Sequence, residues 1–481
     1  MPELSERLFT KEDVEIACKT SIITKFNNQF GNIYKKIHAK IQQDPKPNYY
    51  YHKDKFDKIY AISDIHADYK ALLRHLVKFE FIKYDEKSGL NFENIDTDEF
   101  DIYNPKLISD VKWTKSKTLL VICGDIVDGC RTNYDKNKKS FEIGEVNDTE
   151  GTFEILLHMF LRNLKLQAQD NTSDVMLIVG NHDNVTDKPF WNTYVHSTAK
   201  KFFKSIDKRE KILTPFYKNF SLFFGIINEE HNTLRINDFD ILFTHGGIIY
   251  LGKNFLYDTF EDQIEVTNNN TDIMKIIVKY AKQLNDGATE GPNALWTRHT
   301  DGENIPTIDD PKCNRYIDMQ PTIVVGHCPT AGHNPNVYKQ PEDDNRICST
   351  NDHGFCIYPK CFEKVGKKSV PKVVNIDTSM SGAFKENTPE KMKAFEMLKI
   401  YKGEEKGDFN KYTTVSINKE GSIVEYDLEN VYNELVRKKQ SESPSGGKTR
   451  RRKRKTSNKS KRSKRIKKSK QTRKRGRKTR R

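Results

Sequence analysis

Six short apolar runs, each followed by a polar loop that contains Gly, Asp or His, constrain the fold of this chain more than any other feature. The runs with their loops read KIYAIS, TLLVICGDIVD, VMLIVGNHD, FDILFTHGGI, TIVVGHCPT and KVVNIDTSMSG. Strands with continuous apolar sequences are buried on both faces, and the ligands of open α/β sheets gather at the carboxyl ends of such strands. The sequence therefore predicts an α/β fold with its functional residues in the loops that follow the strands.

The segments around these runs predict a main domain between two less structured ends. Residues 1–55 are polar, read as partly helical and end at the loop signal DPKPN. We expect the main domain at 56–435, and a flexible linker with a disordered Lys/Arg-rich tail at 436–481. Polar stretches interpreted as insertions or mobile loops span about 84–116, 131–150 and 334–372.

Two further patterns predict local structure. DIHADYKALLRHLVKFEF follows the first apolar run directly, and its apolar spacing is that of a helix. YTTVSINKEGSIVEYDL predicts a hairpin that turns around Lys419, Glu420 and Gly421.

The positive charge of the chain is concentrated at its C-terminal end. The 481 residues include 82 Lys and Arg against 67 Asp and Glu, a formal net charge of +15. Residues 448–481 contain 22 basic residues and no acidic one, which leaves 1–447 with 60 basic and 67 acidic residues, a net charge of −7. Without aromatic residues to stack on bases, this tail favours binding to phosphate backbones, of nucleic acid or another polyanion, over recognition of a base sequence. Nuclear import, adhesion to an anionic membrane and a solvated tail without function stay open.

Composition also argues against a membrane-spanning or disulfide-rich protein. No apolar run approaches the ~18 residues that span a bilayer, and the N-terminus lacks the apolar core of a signal peptide. We therefore expect a soluble intracellular protein, cytoplasmic or nuclear. One segment holds Cys348, His353, Cys356 and Cys361. Their spacing matches no standard zinc pattern, so an ordinary surface loop is favoured over a structural zinc site or a disulfide.

The loops after the strands carry side chains that suit divalent metal ions. They are Asp64 and His66, Asp125 and Asp128, Asn181 and His182, His245, and His327. Asp, Asn and His are hard and borderline ligands, and a carboxylate can bridge two ions through its two oxygens. Two ions ~3.5–4 Å apart can clamp a phosphoryl group and generate hydroxide from water near neutral pH. Five such pieces in order, each after its own strand, indicate a dinuclear metal site.

These motifs resemble those of the calcineurin-like metallophosphoesterases. SDIHAD, GDIVDG, GNHD, THGG and VVGH are similar to the five motifs of that family, in the same order. The HGG form of the fourth motif and the single His of the fifth resemble the phosphoprotein phosphatase branch. ALWTRHT, VVGHCPT and NIDTSMSG are most similar to the bacterial-type, Shewanella-like protein phosphatases. The resemblance covers about 58–385 and implies a β-sandwich flanked by helices, with two divalent ions drawn from Mn²⁺, Fe²⁺ or Fe³⁺, and Zn²⁺.

The resemblance also assigns a role to each motif residue. The implied metal ligands are Asp64 and His66 for the first ion, Asp125 as the bridge, and Asn181, His245 and His327 for the second ion. His182 would be the general acid that protonates the leaving oxygen, oriented by Asp128. A neighbouring carboxylate favours the imidazolium form, which is the form that can donate this proton.

Phosphate recognition departs from the family pattern. Protein phosphatases usually have Arg directly after the motif-two aspartate, where this chain has Gly129. Arg131 and Arg298 are the candidate replacements, because a guanidinium binds two phosphate oxygens at once, and for each a surface or packing role is the alternative. The acid of motif three is Asp183 where Glu is usual.

The implied activity is hydrolysis of phosphoproteins by direct attack of metal-bound hydroxide on phosphorus, with Ser/Thr and Tyr specificity open. One alternative is a phosphoesterase for nucleotides or nucleic acids, whose affinity the tail would raise. Another is a nucleic-acid-associated structural protein with a degenerate phosphoesterase domain, although the complete ligand set argues against it. The abundance of Lys and Asn together with the basic tail is similar to proteins of large DNA viruses, which would place the enzyme in a virion.

Overall fold

A computed structural model gives the fold of this chain. The residues that it describes are 30–37, 39–40, 48–95, 100–128, 134–135, 140–141, 150–186, 188–193, 195, 197–229, 238–246, 321–326, 347–350, 353–357, 362–365, 368–371, 373–377, 396–402, 408–417, 422–430, 432–433 and 437.

Two seven-stranded sheets dominate the described residues. The strands are β1 (Tyr50–His52), β2 (Lys58–Ile62), β3 (Ile82–Lys83), β4 (Lys112–Trp113), β5 (Thr118–Cys123), β6 (Tyr134–Asp135), β7 (Ser140–Phe141), β8 (Asp174–Ile178), β9 (Phe220–Ser221), β10 (Phe223–Ile227), β11 (Phe239–Thr244), β12 (Thr322–Val325), β13 (Ile347–Thr350), β14 (His353–Ile357), β15 (Phe362–Val365), β16 (Lys368–Pro371), β17 (Val373–Asn375), β18 (Glu396–Lys402), β19 (Phe409–Ile417) and β20 (Ile423–Asp427). One sheet has the order β1-β10-β11-β12-β17-β14-β13, and the other has the order β20-β19-β18-β2-β5-β8-β9. The remaining strands form three two-stranded sheets, β3-β4, β6-β7 and β15-β16.

All six apolar runs form strands, as the sequence predicts. β2, β5 and β8 are parallel neighbours in one sheet, and β11, β12 and β17 are parallel neighbours in the other. Because parallel neighbours end at the same edge of their sheet, each sheet presents three loops together. The predicted α/β fold is confirmed.

Helices cover one of the sheets. They are α1 (Tyr69–Lys78), α2 (Lys106–Ser109), α3 (Glu150–Asp170), α4 (Lys188–Thr193), α5 (Ser197–Phe203) and α6 (Ile206–Tyr217), with 3₁₀ turns at Lys53–Lys55, Glu86–Ser88 and Phe92–Asn94. The predicted helix after the first run is α1, and the side chain of Asp68 caps it by accepting from the Ala71 N–H at 2.9 Å. Among the described helices, none has the length and apolar character that a bilayer span requires.

The strands are buried on both faces because each face packs into a different apolar core. Leu119 and Val121 of β5 share a buried cluster with Phe243 of β11, so this cluster fills the space between the two sheets. Leu120 and Ile122 of the same strand point the other way, into a cluster that includes the helices. Successive side chains of a strand alternate between its faces, so a continuous apolar run is what this sandwich with a helical cover requires.

Residues 84–116, interpreted as an insertion or mobile loop, contain packed structure in the part that is described. Leu107 and Ile108 of α2 and Trp113 of β4 are buried in the helix-side core. These few apolar side chains lie among many polar residues in the sequence, so the average polarity of the stretch does not reveal that they are buried. Whether the stretch is an insertion stays a prediction.

The other two polar stretches also contain strands. β6 pairs with β7 within 131–150. β13 pairs with β14 within 334–372, where Cys348 and Cys356 are Cα partners, and β14 extends a seven-stranded sheet by pairing with β17. Cys348 and Cys356 therefore lie in a hairpin and not in the expected loop, because the two strands pair with each other and β14 also pairs with β17. Cys361 lies outside the described residues.

The ends of the chain bear on the predicted domain organisation. Residues 30–37 are helical, and Phe30 and Ile37 are buried in the helix-side core. β1 joins a seven-stranded sheet by parallel pairing with β10, although it falls within the predicted extension 1–55. The chain divides into two units, Met1–Leu435 and Val436–Arg481. The proposed domain boundaries stay predictions, and the basic tail lies outside the described residues.

The predicted C-terminal hairpin is confirmed. β19 and β20 pair antiparallel, and Ile417 and Ile423 are the last Cα partners before the turn.

Candidate metal centre

Four strand ends bring seven of the predicted site residues together. Asp64 and His66 follow β2, Asp125 and Asp128 follow β5, Asn181 and His182 follow β8, and His245 follows β11. All seven are at most 5% exposed. The first three strands belong to one sheet and β11 to the other, so the site lies where the two sheets meet. His327, Arg131 and Arg298 lie outside the described residues.

Asp64, His66 and Asp125 form a compact group, with one ligand atom of each within 4.8 Å of the others. His66 Nε2 lies 3.9 Å from Asp64 Oδ1 and 3.5 Å from Asp125 Oδ2. The other ring nitrogen, Nδ1, lies 3.2 Å from the carbonyl oxygen of Asp128. A ring that donates from Nδ1 keeps its Nε2 lone pair, which is the form of His that binds a metal ion.

The two oxygens of Asp125 serve two different groups. Oδ2 faces His66, whereas Oδ1 lies 3.3 Å from His245 Nε2 and accepts the backbone N–H of His182 at 2.8 Å. A carboxylate divided in this way has the geometry of a bridge between two ligand sets.

His245 and Asn181 are the candidate second ligand set with Asp125. His245 Nδ1 lies 2.8 Å from the carbonyl oxygen of Cys123, and Nε2 lies 2.8 Å from Asn181 Oδ1. A neutral ring that donates from Nδ1 presents a lone pair at Nε2, and the amide oxygen also presents lone pairs. Either a proton on Nε2 or a bound cation satisfies two acceptors at this distance, so the chemistry of this donor set fits a cation.

The electrostatics of the buried groups point the same way. Burial opposes charge on Asp125, but the imidazoles of His245, His182 and His66 hold the pKa of its carboxyl well below the ordinary value. Burial also opposes charge on His245, yet the carboxylates of Asp125 and Asp64 raise the pKa of this imidazole to about 10. The carboxylates therefore create a field that favours positive charge at the centre, which a divalent cation would satisfy.

His182 and Asp128 form a hydrogen-bonded dyad beside this centre. His182 Nδ1 lies 2.6 Å from Asp128 Oδ2, and both side chains are almost fully buried. The rings of His66 and His182 meet edge to face with centroids 5.1 Å apart. The dyad therefore lies in direct contact with a residue of the metal group, where an acid that protonates a leaving oxygen would have to be.

The loops that hold these residues have an unusual backbone. Among the described residues, the positive-φ set includes Asp64 at 54°, His66 at 46°, Asp125 at 50° and Asp128 at 65°. Left-handed conformations cost non-glycine residues about 1–3 kcal/mol each and persist only where the surroundings fix them. In this site the left-handed backbone turns the side chains of each loop toward one centre.

Three glycines let the loops approach one another. A Cβ on Gly180 would lie 2.1 Å from Asp125 Oδ1, and one on Gly124 would lie 2.5 Å from His245 Nδ1. A Cβ on Gly326 would lie 2.6 Å from Asp64 Oδ2. Gly326 also donates its N–H to the carbonyl of His245 at 2.9 Å, so the residue directly before His327 contacts both halves of the centre.

The structure adds a group of residues that the sequence did not single out. Asp183, noted only as the acid of motif three, accepts the N–H groups of Ile126 at 2.9 Å and Gly180 at 2.7 Å, and the hydroxyl of Tyr217 at 3.0 Å. Burial and the charge of Asp125 raise the pKa of Asp183 to about 7. This carboxyl joins the loops after β5 and β8.

Ser63 and Cys123 also act on the ligands. The Ser63 hydroxyl contacts the Asp64 carboxylate and lies 2.8 Å from the Cys123 carbonyl, the group that also orients His245. No sequence signal marks a backbone carbonyl for this purpose, whereas a Ser next to a ligand aspartate is a weak signal.

Comparison with protein families gives one match. The sequence matches the family model described as calcineurin-like phosphoesterase over residues 57–358, which is more than half of the chain. No curated protein sequence matches the chain significantly.

Several solved structures are similar at low identity. One is a cold-active protein-tyrosine phosphatase of a psychrophilic Shewanella species, with 17% identity, a TM-score of 0.45, and coverage of 81% of this chain and 84% of that chain. Another is a protein serine/threonine phosphatase from Saccharomyces cerevisiae, with 12% identity, a TM-score of 0.38, and coverage of 82% of this chain and 87% of that chain.

Proposed function

The chain belongs to the calcineurin-like phosphoesterase family, and from this premise we propose that it is a dinuclear-metal-dependent phosphomonoesterase that acts on phosphoproteins. The observation that carries the proposal is the division of the Asp125 carboxylate, with Oδ2 toward His66 and Oδ1 toward His245. A mononuclear site needs no such division. A phosphoprotein substrate is supported by the HGG form of the fourth motif and by the single His of the fifth.

The donor set assigns the ligands of each ion. The first ion would be held by Asp64, His66 and Asp125, and the second by Asp125, Asn181, His245 and His327. When bound, two divalent ions would lower the pKa of a water molecule and polarise the phosphoryl oxygens, and Mn²⁺, iron or Zn²⁺ would suit these oxygen and nitrogen donors.

The residues of the chain itself supply orientation and one proton. Asp125 and the glycine contacts fix the ligand atoms in one arrangement, which reduces the reorganisation needed when the phosphate ester binds. Asp128 accepts at His182 Nδ1, so it favours the protonated ring and leaves Nε2 as the donor to the leaving oxygen. Proton transfer of this kind contributes about 10²–10⁴-fold to the rate.

Activity measurements on purified protein with Mn²⁺ test this proposal. A panel of phosphoserine, phosphothreonine and phosphotyrosine peptides, nucleotides and bis-(p-nitrophenyl) phosphate is compared in one assay. We expect hydrolysis of phosphopeptides and little cleavage of the diester. The relative rates of the peptides decide between Ser/Thr and Tyr specificity. Metal content that stays well below one ion per chain, with no activation by added metal, would contradict the proposal.

A second candidate function, hydrolysis of nucleotides or nucleic acids, is favoured by the basic tail. Residues 448–481 contain 22 Lys and Arg and no acid, so they would raise the affinity for polyanions. Cleavage of the phosphodiester at a rate similar to that of phosphopeptides would favour this alternative. A structural protein with a degenerate domain would bind no catalytic metal.

We also propose that the tail places the enzyme, through nucleic acid, import machinery or a virion interior, and does not take part in catalysis. Residues 1–447 have a net charge of −7, so the proposed centre lies in a mildly acidic part of the chain. Removal of 448–481 should leave turnover of p-nitrophenyl phosphate nearly unchanged and abolish salt-dependent binding to nucleic acid. A large loss of turnover in chain 1–447 would show that the tail belongs to the active enzyme.

A further inference from the structure

A buried carboxylate outside the proposed centre holds the backbone of the dyad residue Asp128. Glu154 lies on α3, and its Oε1 accepts the N–H of Asp128 at 3.1 Å. Asp128 has a left-handed backbone, with φ at 65°. A non-glycine residue keeps this conformation only where neighbouring groups fix it, and the bond to Glu154 is one of these groups.

Glu154 is itself held by a buried arginine from another helix. Arg209 Nε donates to Glu154 Oε2 at 3.1 Å, and Arg209 Nη2 donates to Oε1 at 2.9 Å. Both residues are 0% exposed. The guanidinium therefore binds both carboxylate oxygens. This bidentate arrangement fixes the orientation of the carboxylate and balances its charge.

The peptide groups of Asp128 are thus held on both sides. Its N–H is bound to Glu154, and its carbonyl lies 3.2 Å from Nδ1 of His66. With its main chain fixed, the Asp128 side chain reaches Nδ1 of His182 at 2.6 Å. A displacement of the Glu154 carboxylate would move the main chain of Asp128 and lengthen this last bond.

We propose that Glu154, fixed by Arg209, is a positioning residue that sets the orientation of the general acid His182 through the backbone of Asp128. The inference rests on the proposed function, because it gives Glu154 a part in the proton transfer to the leaving oxygen. It goes further by extending the dyad to a chain of four residues, His182, Asp128, Glu154 and Arg209.

A purely stabilising role explains the arrangement less well. Replacing a buried ion pair with apolar side chains of similar size is often neutral or stabilising, so such pairs are weak evidence for stability. A role in stability alone would not require the hydrogen bond from the Asp128 N–H to Glu154, which holds a strained residue of the dyad.

Two double variants test the proposal, and they differ in whether residue 154 keeps an acceptor oxygen. E154L/R209M removes both charges and the acceptor for the Asp128 N–H. E154Q/R209M also removes both charges but keeps an oxygen at the acceptor position. Neither variant leaves a buried unpaired charge. Should E154L/R209M not fold, Arg209→Lys is the milder test, because an ammonium cannot hold both carboxylate oxygens in one plane.

The substrates are a phosphoserine peptide and p-nitrophenyl phosphate. The serine alkoxide needs a proton to leave, whereas the nitrophenolate leaves without one. We expect E154L/R209M to lower kcat on the peptide by about tenfold or more, with a drop below about threefold on p-nitrophenyl phosphate and unchanged metal content. E154Q/R209M keeps an acceptor oxygen but not the guanidinium that fixes it, so its kcat on the peptide should fall between those of the wild type and E154L/R209M. Arg209→Lys should show a smaller loss, again confined to the peptide.

A double-mutant cycle with His182→Asn gives the second kinetic readout. In the His182→Asn background, E154L/R209M should cause no further loss, because the residue that Glu154 orients is already gone. Equal losses on both substrates, or a full loss that persists in the His182→Asn background, would overturn the proposal and assign the ion pair to stability.

Hydrogen exchange at the Asp128 amide separates this inference from the proposed function, since it requires no activity. The amide should be protected in the wild type, less protected in E154Q/R209M, and should exchange quickly in E154L/R209M. Rapid exchange of this amide in the wild type would refute the positioning contact, even if the protein is an active phosphatase. If the amide is protected but the protein hydrolyses no phosphate monoester, the contact between Glu154 and Asp128 exists. The proposed function would then be refuted, and with it the part of Glu154 in proton transfer.

Discussion

The two ends of β8 bury polar groups in opposite ways. At its amino end, the Asp174 carboxylate accepts from the Lys165 ammonium at 2.7 Å and from the Tyr51 hydroxyl at 2.5 Å. At its carboxyl end, the Asp125 carboxylate of the neighbouring strand meets the imidazoles of His66 and His245. One end neutralises its acid with a fixed ammonium, and the other surrounds its acids with ligand atoms.

This difference distinguishes polar groups that are buried for stability from polar groups that are buried for function. An ammonium and a hydroxyl donate hydrogen bonds to Asp174, and the ammonium balances its charge within the protein. Imidazoles balance a carboxylate only when they are protonated, and as neutral rings they offer further lone pairs. The carboxyl end is therefore built for an added cation, as expected for the strand ends of an α/β sheet.

Exchanging one aspartate for asparagine at each end should give the largest and most contrasting effects. Asp125→Asn removes the carboxylate that the two proposed ligand sets share, which is one of their two negative charges. Metal content should therefore fall and kcat should drop at least about a thousandfold, since bound metal supplies several kcal/mol of transition-state stabilisation. Asp174→Asn leaves Lys165 buried without its counter-charge and should cost about 3 kcal/mol of unfolding free energy. Its metal content and turnover should match the wild type when measured well below its melting temperature.

Metal analysis, steady-state kinetics and urea unfolding of both variants make this test. Loss of metal from Asp174→Asn, or retention of full activity by Asp125→Asn, would remove the distinction between the two ends.

His182→Asn is expected to have the next largest effect at the carboxyl end. The variant should keep its metal ions and lower kcat on phosphopeptides by about 10²–10⁴-fold, while the loss on p-nitrophenyl phosphate should be smaller, because that leaving group needs no proton. A near-normal rate on the peptide would show that another group is the acid.

The strands and the polar side chains at their ends could be predicted from sequence because each depends on local pattern. In β5, for example, the continuous apolar run predicts a buried strand, and the aspartates that follow it predict a polar site at its end. The motif order then implied which side chains share one centre, and the structure brings together every described member of that set.

The supporting contacts could not be predicted, because their partners come from distant parts of the chain. Glu154 interrupts the apolar sequence FEILLHMF, which signals a buried charge but not its partner. Arg209 lies in the polar sequence DKREK, where nothing distinguishes it from an exposed residue. The left-handed backbone of Asp128 likewise depends on the carboxylate that it meets, and on no preference of its own.

Two glycines with similarly close neighbours provide a test of smaller expected effect. A Cβ on Gly180 would meet the Oδ1 and backbone of Asp125, whereas one on Gly225 of β10 would lie 2.0 Å from the ring of Phe239. Gly180→Ala should lower metal affinity about 10–100-fold, the range for changes that displace a ligand without removing it. Gly225→Ala should lower unfolding free energy by about 1–3 kcal/mol through overpacking and leave metal affinity unchanged. Metal titrations followed by unfolding curves distinguish the two, and equal metal affinities would contradict the assignment of Gly180.

The smallest effect is expected from His158 of α3, a buried imidazole that is not part of the proposed centre. Its ring stacks on Phe216 with centroids 5.2 Å apart, and burial, with a contribution from the charge of Arg209, lowers its pKa to about 3. In the unfolded chain the pKa of a histidine is ~6.5, so between these values the unfolded state binds more protons and stability falls as pH decreases. Above this window the ring is neutral in both states and has no such effect.

Phenylalanine at this position keeps the stacking and removes the titration. His158→Phe should therefore match the wild type in turnover at neutral pH and lose about 2 kcal/mol less unfolding free energy than the wild type between neutral pH and about pH 5. Urea unfolding at both pH values measures this difference. A variant as acid-sensitive as the wild type would mean that His158 takes up a proton in the folded protein as readily as in the unfolded chain, so that its pKa is not lowered. The loss of stability between neutral pH and about pH 5 would then belong to other groups, and not to Asp125, because its lowered pKa makes protonation costly only below about pH 4.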